Sequence, residues 1–442
     1  MTRTALGARA WMLFDWANQP FYTLVLTFIF APYFAAQVVG DPAQGQILWA
    51  NLQLAGALSV AALAPILGAI ADRAGPRKPW IAAFSALFVA GCLGLWTATP
   101  GAPLWPVCAA FLLAFVASEA SLIFINAMLP DLGPRREIGR ISGAGWAMGY
   151  AGGVAALILV LVLLAPAGDG TRTLAGLTPL LDPETGAPQR ATGPLTAAWF
   201  ALFAAPFFLL TPDAPRRAGL ARAAREGLAS LRATIAGLPR ETPLLRFLIA
   251  AMLYRDGLAG LFAFGGIYAA GTLGWGLTQL GLFGILAAAT GAVGAYAGGF
   301  ADRAFGPKPV IMTAIVVLIL VCTAALTTAP TRALGLPVPA GSPLPDAIFF
   351  ACGAALGAGA GALQAASRTL LVHLAETRVP MTEAFGLYAL AGKATAFLAP
   401  AAIAATTAAT GSQALGVSPV IALFAAGLAL LYWVEIPQEA RA

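Results

Sequence analysis

Apolar runs dominate this 442-residue chain and leave it few ways to fold: residues 11–39, 47–71, 80–99, 103–129, 141–165 and 194–211, then 243–271, 276–300, 309–329, 344–371, 384–408 and 414–434. Each approaches or exceeds the ~20 residues with which a helix crosses a hydrocarbon core of about 30 Å. Hydrophobic residues make up 60% of the chain and charged residues only 10%, against roughly 25% charged in soluble domains. A water-soluble fold is excluded. In lipid every backbone polar group must find its partner inside the spanning structure, which leaves helices or closed barrels. The segments are Ala-rich and lack the alternation of a barrel strand. The expected fold is an all-α integral membrane protein with about twelve transmembrane helices.

A short phrase recurs at half-chain spacing. GAIADRAGPRKP begins at Gly68 and GGFADRAFGPKP begins at Gly298, each closing an apolar run. Asp72 matches Asp302, Arg73 matches Arg303, and Lys78-Pro79 matches Lys308-Pro309, with the Gly-Pro pair shifted by one. Duplication of one membrane unit is the way many secondary transporters are built. It predicts two pseudo-symmetric six-helix halves, 1–211 and 243–442, joined by a linker at 212–242. Within the linker, Arg222, Arg225, Leu228, Leu231 and Ile235 have helix-like spacing, so an amphipathic interfacial helix is expected there. Residues 166–193, rich in Pro, Gly, Thr and Asp, read as an irregular loop.

The basic residues set the orientation. Of the 25 Lys and Arg, 20 fall in segments assigned to one membrane face, Arg368 among them, and only Arg172, Arg190 and Arg332 to the other. The asymmetry predicts that both termini are cytoplasmic. It also explains the net charge of +6 without invoking nucleic acid. Asp15 and Asn18 interrupt the first apolar run, which argues against a cleavable signal. The four cysteines lack paired ligand spacing and His373 is the single histidine, so neither a metal site, a cofactor nor a histidine triad is expected.

Polar residues inside spans are costly and usually face a cavity or a partner. Trp11, Asp15, Asn18 and Tyr22 share one helical face at i, i+4, i+7 and i+11, as a cavity wall would; an interfacial stretch is the alternative. Glu119 lies near the middle of the fourth span, beside Ser118 and Ser121, with Asn126 on its face seven residues on. A carboxyl at that depth is a candidate proton carrier, or one member of a permanent ion pair. Arg255 and Asp256 are adjacent in the seventh span and point about 100° apart, so they need not satisfy each other. Lys393, between Gly392 and Ala394, would hold a substrate anion or neutralise a buried acid. In the repeated phrase, Gly68 and Gly298 permit close helix contact, while Asp72 and Asp302 can accept from a helix N-terminus or a nearby arginine. Glycine rows at 145, 149, 153 and at 353, 357, 361 predict tight helix packing.

At Gly68, Ala71, Asp72, Arg73, Gly75, Arg77 and Lys78 the chain resembles the major facilitator superfamily, whose signature between the second and third spans is G-x-x-x-A-D-R-x-G-x-[RK]-[RK]. FDWANQPFYTLVLTFIFAPYF from Phe14, NAMLPDL from Asn126, SGAGWAMGYAGG from Ser142 and FGLYALAGKATAF from Phe385 are similar to the vacuolar amino-acid effluxer family related to autophagy. The resemblance implies a major facilitator fold working by alternating access. It also implies that Asp72, Arg73, Asp302 and Arg303 are latches stabilising one conformer. Of the polar residues in spans, Asp15, Asn18, Asn126 and Lys393 lie inside the family's phrases.

The expected activity is therefore proton-coupled secondary transport of a small polar solute, amino acids among them, in a cell inner (plasma) membrane. Lys393 or Arg255 would hold an anionic group, and Glu119 or Asp15 would carry the proton or meet an amine. Asp256 and Tyr22 belong to the same binding or coupling set. The expected partners are solute, protons and membrane lipids, the expected state a monomer. Export of an amphiphile, with Trp11, Tyr22, Phe262, Phe264 and Phe397 lining a promiscuous cavity, is the competing reading. An intramembrane enzyme is a third, disfavoured because no nucleophile–base pair surrounds His373.

Overall fold

The computed structural model describes residues 3–436 except positions 165, 168–171, 174, 179, 183 and 377. It is a multi-pass helical membrane protein. Among the described residues there are fourteen α-helices of at least 13 residues. They are α1 (Arg3–Pro20), α2 (Pro42–Ala74), α3 (Lys78–Gly94), α4 (Leu104–Ala127), α5 (Ile138–Leu163), α6 (Thr192–Leu210) and α7 (Leu220–Gly237). There follow α8 (Thr242–Leu273), α9 (Leu277–Phe305), α10 (Pro307–Leu326), α11 (Leu344–Ala375), α12 (Met381–Ala394), α13 (Leu398–Thr410) and α14 (Ser418–Tyr432). Ten segments are long and apolar enough to cross a bilayer, the one from Met381 to Thr410 combining α12 and α13. The 32-residue α8, which carries Arg255 and Asp256, and the 15-residue apolar α14 bring the count to the expected twelve.

Two spans depart from straight α-helix. After Pro20 the first continues as π-helix over Phe21–Phe28, turns at Phe30–Tyr33 and ends in a second π segment, Phe34–Val38. Proline has no N–H to give the α ladder, and wider π turns commonly re-aim side chains at functional sites. The eleventh span, read from sequence as continuous over 384–408, breaks at Thr395–Phe397 between α12 and α13. Pro400, in the first turn of α13, removes the bond that would tie the helix back to the Ala396 carbonyl. The stretch 166–193 is also more ordered than expected, with an antiparallel ribbon pairing Pro166–Ala167 with Arg172–Thr173 and a helical turn at Ala187–Arg190. Positive φ at Gly75 (105°) and Gly306 (85°) makes the turns that follow the repeated aspartates, a backbone shape glycine alone adopts freely.

The chain divides into two compact units: Met1–Leu63 with Ala74–Gly133 and Met148–Ala218, and Ala64–Arg73 with Pro134–Ala147 and Gly219–Ala442. In the first, Phe14, Phe21, Phe88, Phe111 and Phe200 form the aromatic centre, and Trp16 stacks on Trp199 with centroids 5.7 Å apart. Gly149, Gly152 and Gly153 bring α5 against α1, where a methyl group on Gly152 would strike the Trp16 backbone. In the second, Tyr268, Trp275, Phe283 and Phe349 cluster, and the Trp275 indole donates to Asp346 Oδ1 at 2.7 Å. Gly353, Gly357 and Gly361 seat α11 on α9, where side chains would collide with Phe283 and with the carbonyls of Ala287 and Gly291.

The linker forms helix α7, in which Ala223, Gly227 and Leu231 are buried and Leu220, Leu228 and Ile235 are exposed. Gly227 lies on the backbone of Ala69 and Ile70 at the end of α2, an approach a larger residue could not make. On its outer side Arg222 hydrogen-bonds Glu226 and holds that carboxyl below the usual carboxylate range.

Candidate functional site

In the first unit, α1 and α4 carry a connected polar cluster. The Tyr22 hydroxyl lies 3.2 Å from both Glu119 Oε1 and Ser118 Oγ, and Ser118 Oγ donates to Asn18 Oδ1 at 3.1 Å. Ser121 Oγ donates to the Ser118 carbonyl at 2.7 Å. Asn18 and Ser118 are buried. A carboxylate, a phenol, a hydroxyl and an amide thus form one chain in which a proton or a ligand amine has several acceptors. Asp15 is buried one turn before Asn18, beside Gly149 of α5. Asn126 stands two turns beyond Glu119, about 10 Å along α4. Trp11 is fully buried, its indole donating to the Ile125 carbonyl at 2.8 Å. It braces α1 against α4 rather than lining a cavity.

In the second unit, Arg255 and Asp256 take separate environments. Arg255 Nη1 donates to the Tyr388 carbonyl at 3.0 Å, and its guanidinium lies 4.4 Å from the Tyr388 ring centroid. Gly392 is what allows this: any side chain there would occupy the place of the guanidinium. Asp256 is buried, and its Oδ2 has no hydrogen-bond partner among the described residues; nor does Thr395 Oγ1, which is likewise buried. Lys393 lies in the last turn of α12, just before the break. A discontinuous helix that presents a cation and released backbone groups is a recurrent way to build a solute or ion site in a membrane. Phe262 and Phe397 are exposed, and the side chain of Phe264 lies outside the described residues.

The repeated phrase meets helix N-termini at both copies, each time within the second unit. Asp72 accepts from Thr382 Oγ1 (2.6 Å) and from the Glu383 N–H (2.9 Å), both in the first turn of α12. Gly68 packs on the Thr382 carbonyl. Asp302 lies against Gly139 in the first turn of α5, and Gly298 against Ala362. Arg303 pairs with Glu137 at 3.1 Å, just ahead of α5, while Arg73 donates to Ser230 of α7 at 3.1 Å. Asp72 thereby meets a free N–H at a helix N-terminus, where the macrodipole is positive; Asp302 stands at the same kind of place, but its Oδ2 has no hydrogen-bond partner among the described residues. These contacts are why Ala64–Arg73 and Pro134–Ala147 group with the second unit.

One charge was misplaced by sequence. Arg368 is not in a loop; it is buried in α11, its Nε 3.1 Å from Ser142 Oγ, its Nη2 2.7 Å from the Ser142 carbonyl and its guanidinium 4.6 Å from the Trp146 ring centroid. Ser142 Oγ in turn donates to the Ala365 carbonyl at 2.8 Å. Its position before the end of the apolar run 344–371 was the available signal.

Residues 134–442 match the family described as vacuole effluxer Atg22 like, and residues 4–157 match the major facilitator superfamily. An uncharacterized MFS-type transporter of Bacillus subtilis (strain 168), YxiO, is 24% identical over 99% of this chain and 96% of its own. Among solved structures, the E. coli fucose:proton symporter FucP superposes with a TM-score of 0.71 at 13% identity, covering 98% of both chains. The proton:xylose symporter XylE reaches 0.70 at 12% identity, over 98% of this chain and 95% of that one. Fold, buried polar clusters and family match agree: this is a transporter rather than an enzyme, and the chain belongs to the vacuole effluxer Atg22-like family of the major facilitator superfamily.

Proposed function

We propose that the protein is a proton-coupled secondary transporter of a small, amino-acid-like solute, working by alternating access. The observation that carries this reading is the hydrogen-bonded set Glu119, Tyr22, Ser118 and Asn18 inside apolar spans. Burying such groups costs several kcal/mol unless they are partnered or used. Glu119 carries the proton; Asp15 meets an amine; Asn18, Tyr22 and Asn126 add neutral hydrogen bonds. Lys393 holds the anionic group, with Arg255 and Asp256 completing the second set. Proton symport in FucP and XylE, and the effluxer description of the family, lend support by analogy.

Asp72, Arg73, Asp302 and Arg303, with Gly68 and Gly298, act as latches for one conformer. Halves 1–211 and 243–442 are the moving bodies and 212–242 their tether. The protein works as a monomer in a cell inner (plasma) membrane with both termini in the cytosol, in keeping with the Lys and Arg asymmetry. No specific observation favours an amphiphile exporter, since Trp11 and Tyr22 are engaged in hydrogen bonds. The test is uptake of radiolabelled amino acids into proteoliposomes under an imposed pH gradient. Glu119→Gln should abolish accumulation while leaving solute exchange at zero gradient. Undiminished accumulation would remove Glu119 from the coupling role, and competition by lipophilic cations alone would favour the amphiphile.

A further inference from the structure

The second copy of the repeated phrase borders a cavity. It measures about 440 Å³ and is lined by Arg135, Arg136 and Gly139 at the start of α5, by Asp302 to Pro309 across the α9–α10 turn, by His373 near the end of α11, and by Ile436. The volume falls within the ~300–1,000 Å³ of small-molecule sites. Four cations line it: Arg135, Arg136, Arg303 and Lys308. Asp302 is the single acid in the wall, and it lies against the first turn of α5. Two more acids lie behind the arginines, Glu137 on Arg303 at 3.1 Å and Glu376 on Arg135 at 3.2 Å. Lys308 donates to the carbonyls of Tyr432 and Val434.

The wall also contains unpartnered polar atoms. Among the described residues, buried Arg135 Nε, both ring nitrogens of His373 and Oδ2 of Asp302 have no hydrogen-bond partner, while Arg135 Nη2 donates to the His373 carbonyl at 3.3 Å. One imidazole nitrogen must carry a hydrogen, and a buried donor left unmade is costly. Such groups call for an occupant. At the first copy the equivalent place is filled from within: α7 lays Gly227 on Ala69, and its Ser230 receives Arg73 and donates to Glu383 at 3.2 Å. Among the described residues no helix lies over the other copy in this way.

We propose that this cavity binds a phosphate-bearing anion. Guanidinium groups from three chain positions and an imidazole suit a tetrahedral anion with three or more acceptor oxygens better than a two-oxygen carboxylate. The remaining volume accommodates the esterified part of the ligand. The phosphate belongs either to a soluble ester or to an anionic lipid headgroup, and the chemistry in the wall is the same for both.

The experiment uses the purified full chain in an uncharged detergent and follows thermal unfolding by tryptophan fluorescence. One arm adds inorganic phosphate against chloride of equal ionic strength. The other compares nanodiscs of phosphatidylglycerol with nanodiscs of phosphatidylcholine. Stabilisation by phosphate supports a soluble ligand; stabilisation by phosphatidylglycerol alone supports a lipid headgroup. In either case Arg135→Gln/Arg136→Gln should raise the half-saturating concentration by roughly tenfold or more. Arg136→Glu, at an exposed position that does not threaten folding, should act in the same direction. The absence of any shift in both arms, or a shift in both variants as large as that of the unmodified chain, overturns the proposal.

Discussion

Arg368 is a charge held deep in the protein by one neighbouring helix, through a hydroxyl, a carbonyl and an indole face. Truncation would leave the Ser142 carbonyl without its charged donor. Arg368→Ala is expected to cost about 2 kcal/mol, read as a lower midpoint in denaturant titration. Arg368→Lys should recover little of it, because an ammonium cannot stack or fork. The behaviour of Asp256 should be the reverse. With Oδ2 unpartnered, Asp256→Asn is expected to preserve or raise the unfolding temperature while lowering proton-driven uptake. A fall of more than a few degrees in that variant would show the carboxyl to be structural. At this scale the sequence was a partial guide. The residue types in spans flagged Asn18, Tyr22 and Glu119, which do come together. It could not flag Tyr388 or Gly392 as the seat of Arg255, since that contact joins two helices 133 residues apart.

Among the elements, the glycine rows set how close helices come. The Gly357 Cα faces the Ala287 carbonyl so closely that no side chain fits. Gly357→Leu should therefore separate α9 from α11 at a cost of about 1–3 kcal/mol, visible as reduced yield and early aggregation on size-exclusion chromatography. Gly265, with nothing near it, is the control, and Gly265→Ala should be neutral. Helix existence was legible because a span of apolar residues has little choice in lipid. Helix interruption was not. The π turns after Pro20 and the break before Leu398 arise from missing proline N–H bonds, and similar prolines at Pro65 and Pro206 leave their helices unbroken. Tertiary packing decides which proline yields, and a hydropathy pattern carries no record of it. The packing of α7 on the end of α2 was not legible for a related reason: Gly and Ala, which look passive in a helical wheel, are the residues that admit a neighbouring backbone.

For the whole molecule, duplication was the most readable property, since a phrase agreeing at seven of twelve positions recurs at Gly68 and Gly298 and implies matched environments. Both aspartates do meet a helix start. Asp72→Asn/Asp302→Asn should weaken both contacts and favour the opposite conformer. In a background freed of the four native cysteines, maleimide labelling of Ser142→Cys is expected to rise about tenfold, as a shift of ~1.4 kcal/mol would produce. Unchanged labelling would mean that the acids matter only for folding. The two copies are nevertheless not equivalent. Ser230 of the linker helix ties Arg73 and Glu383 together on one side, whereas the ties described on the other, Glu137 to Arg303 and Ser142 to Arg368, come from the start of α5. Under the proposed latch role the tether reinforces one copy alone, so Ser230→Ala should loosen the Asp72 edge and leave the Asp302 edge as it was.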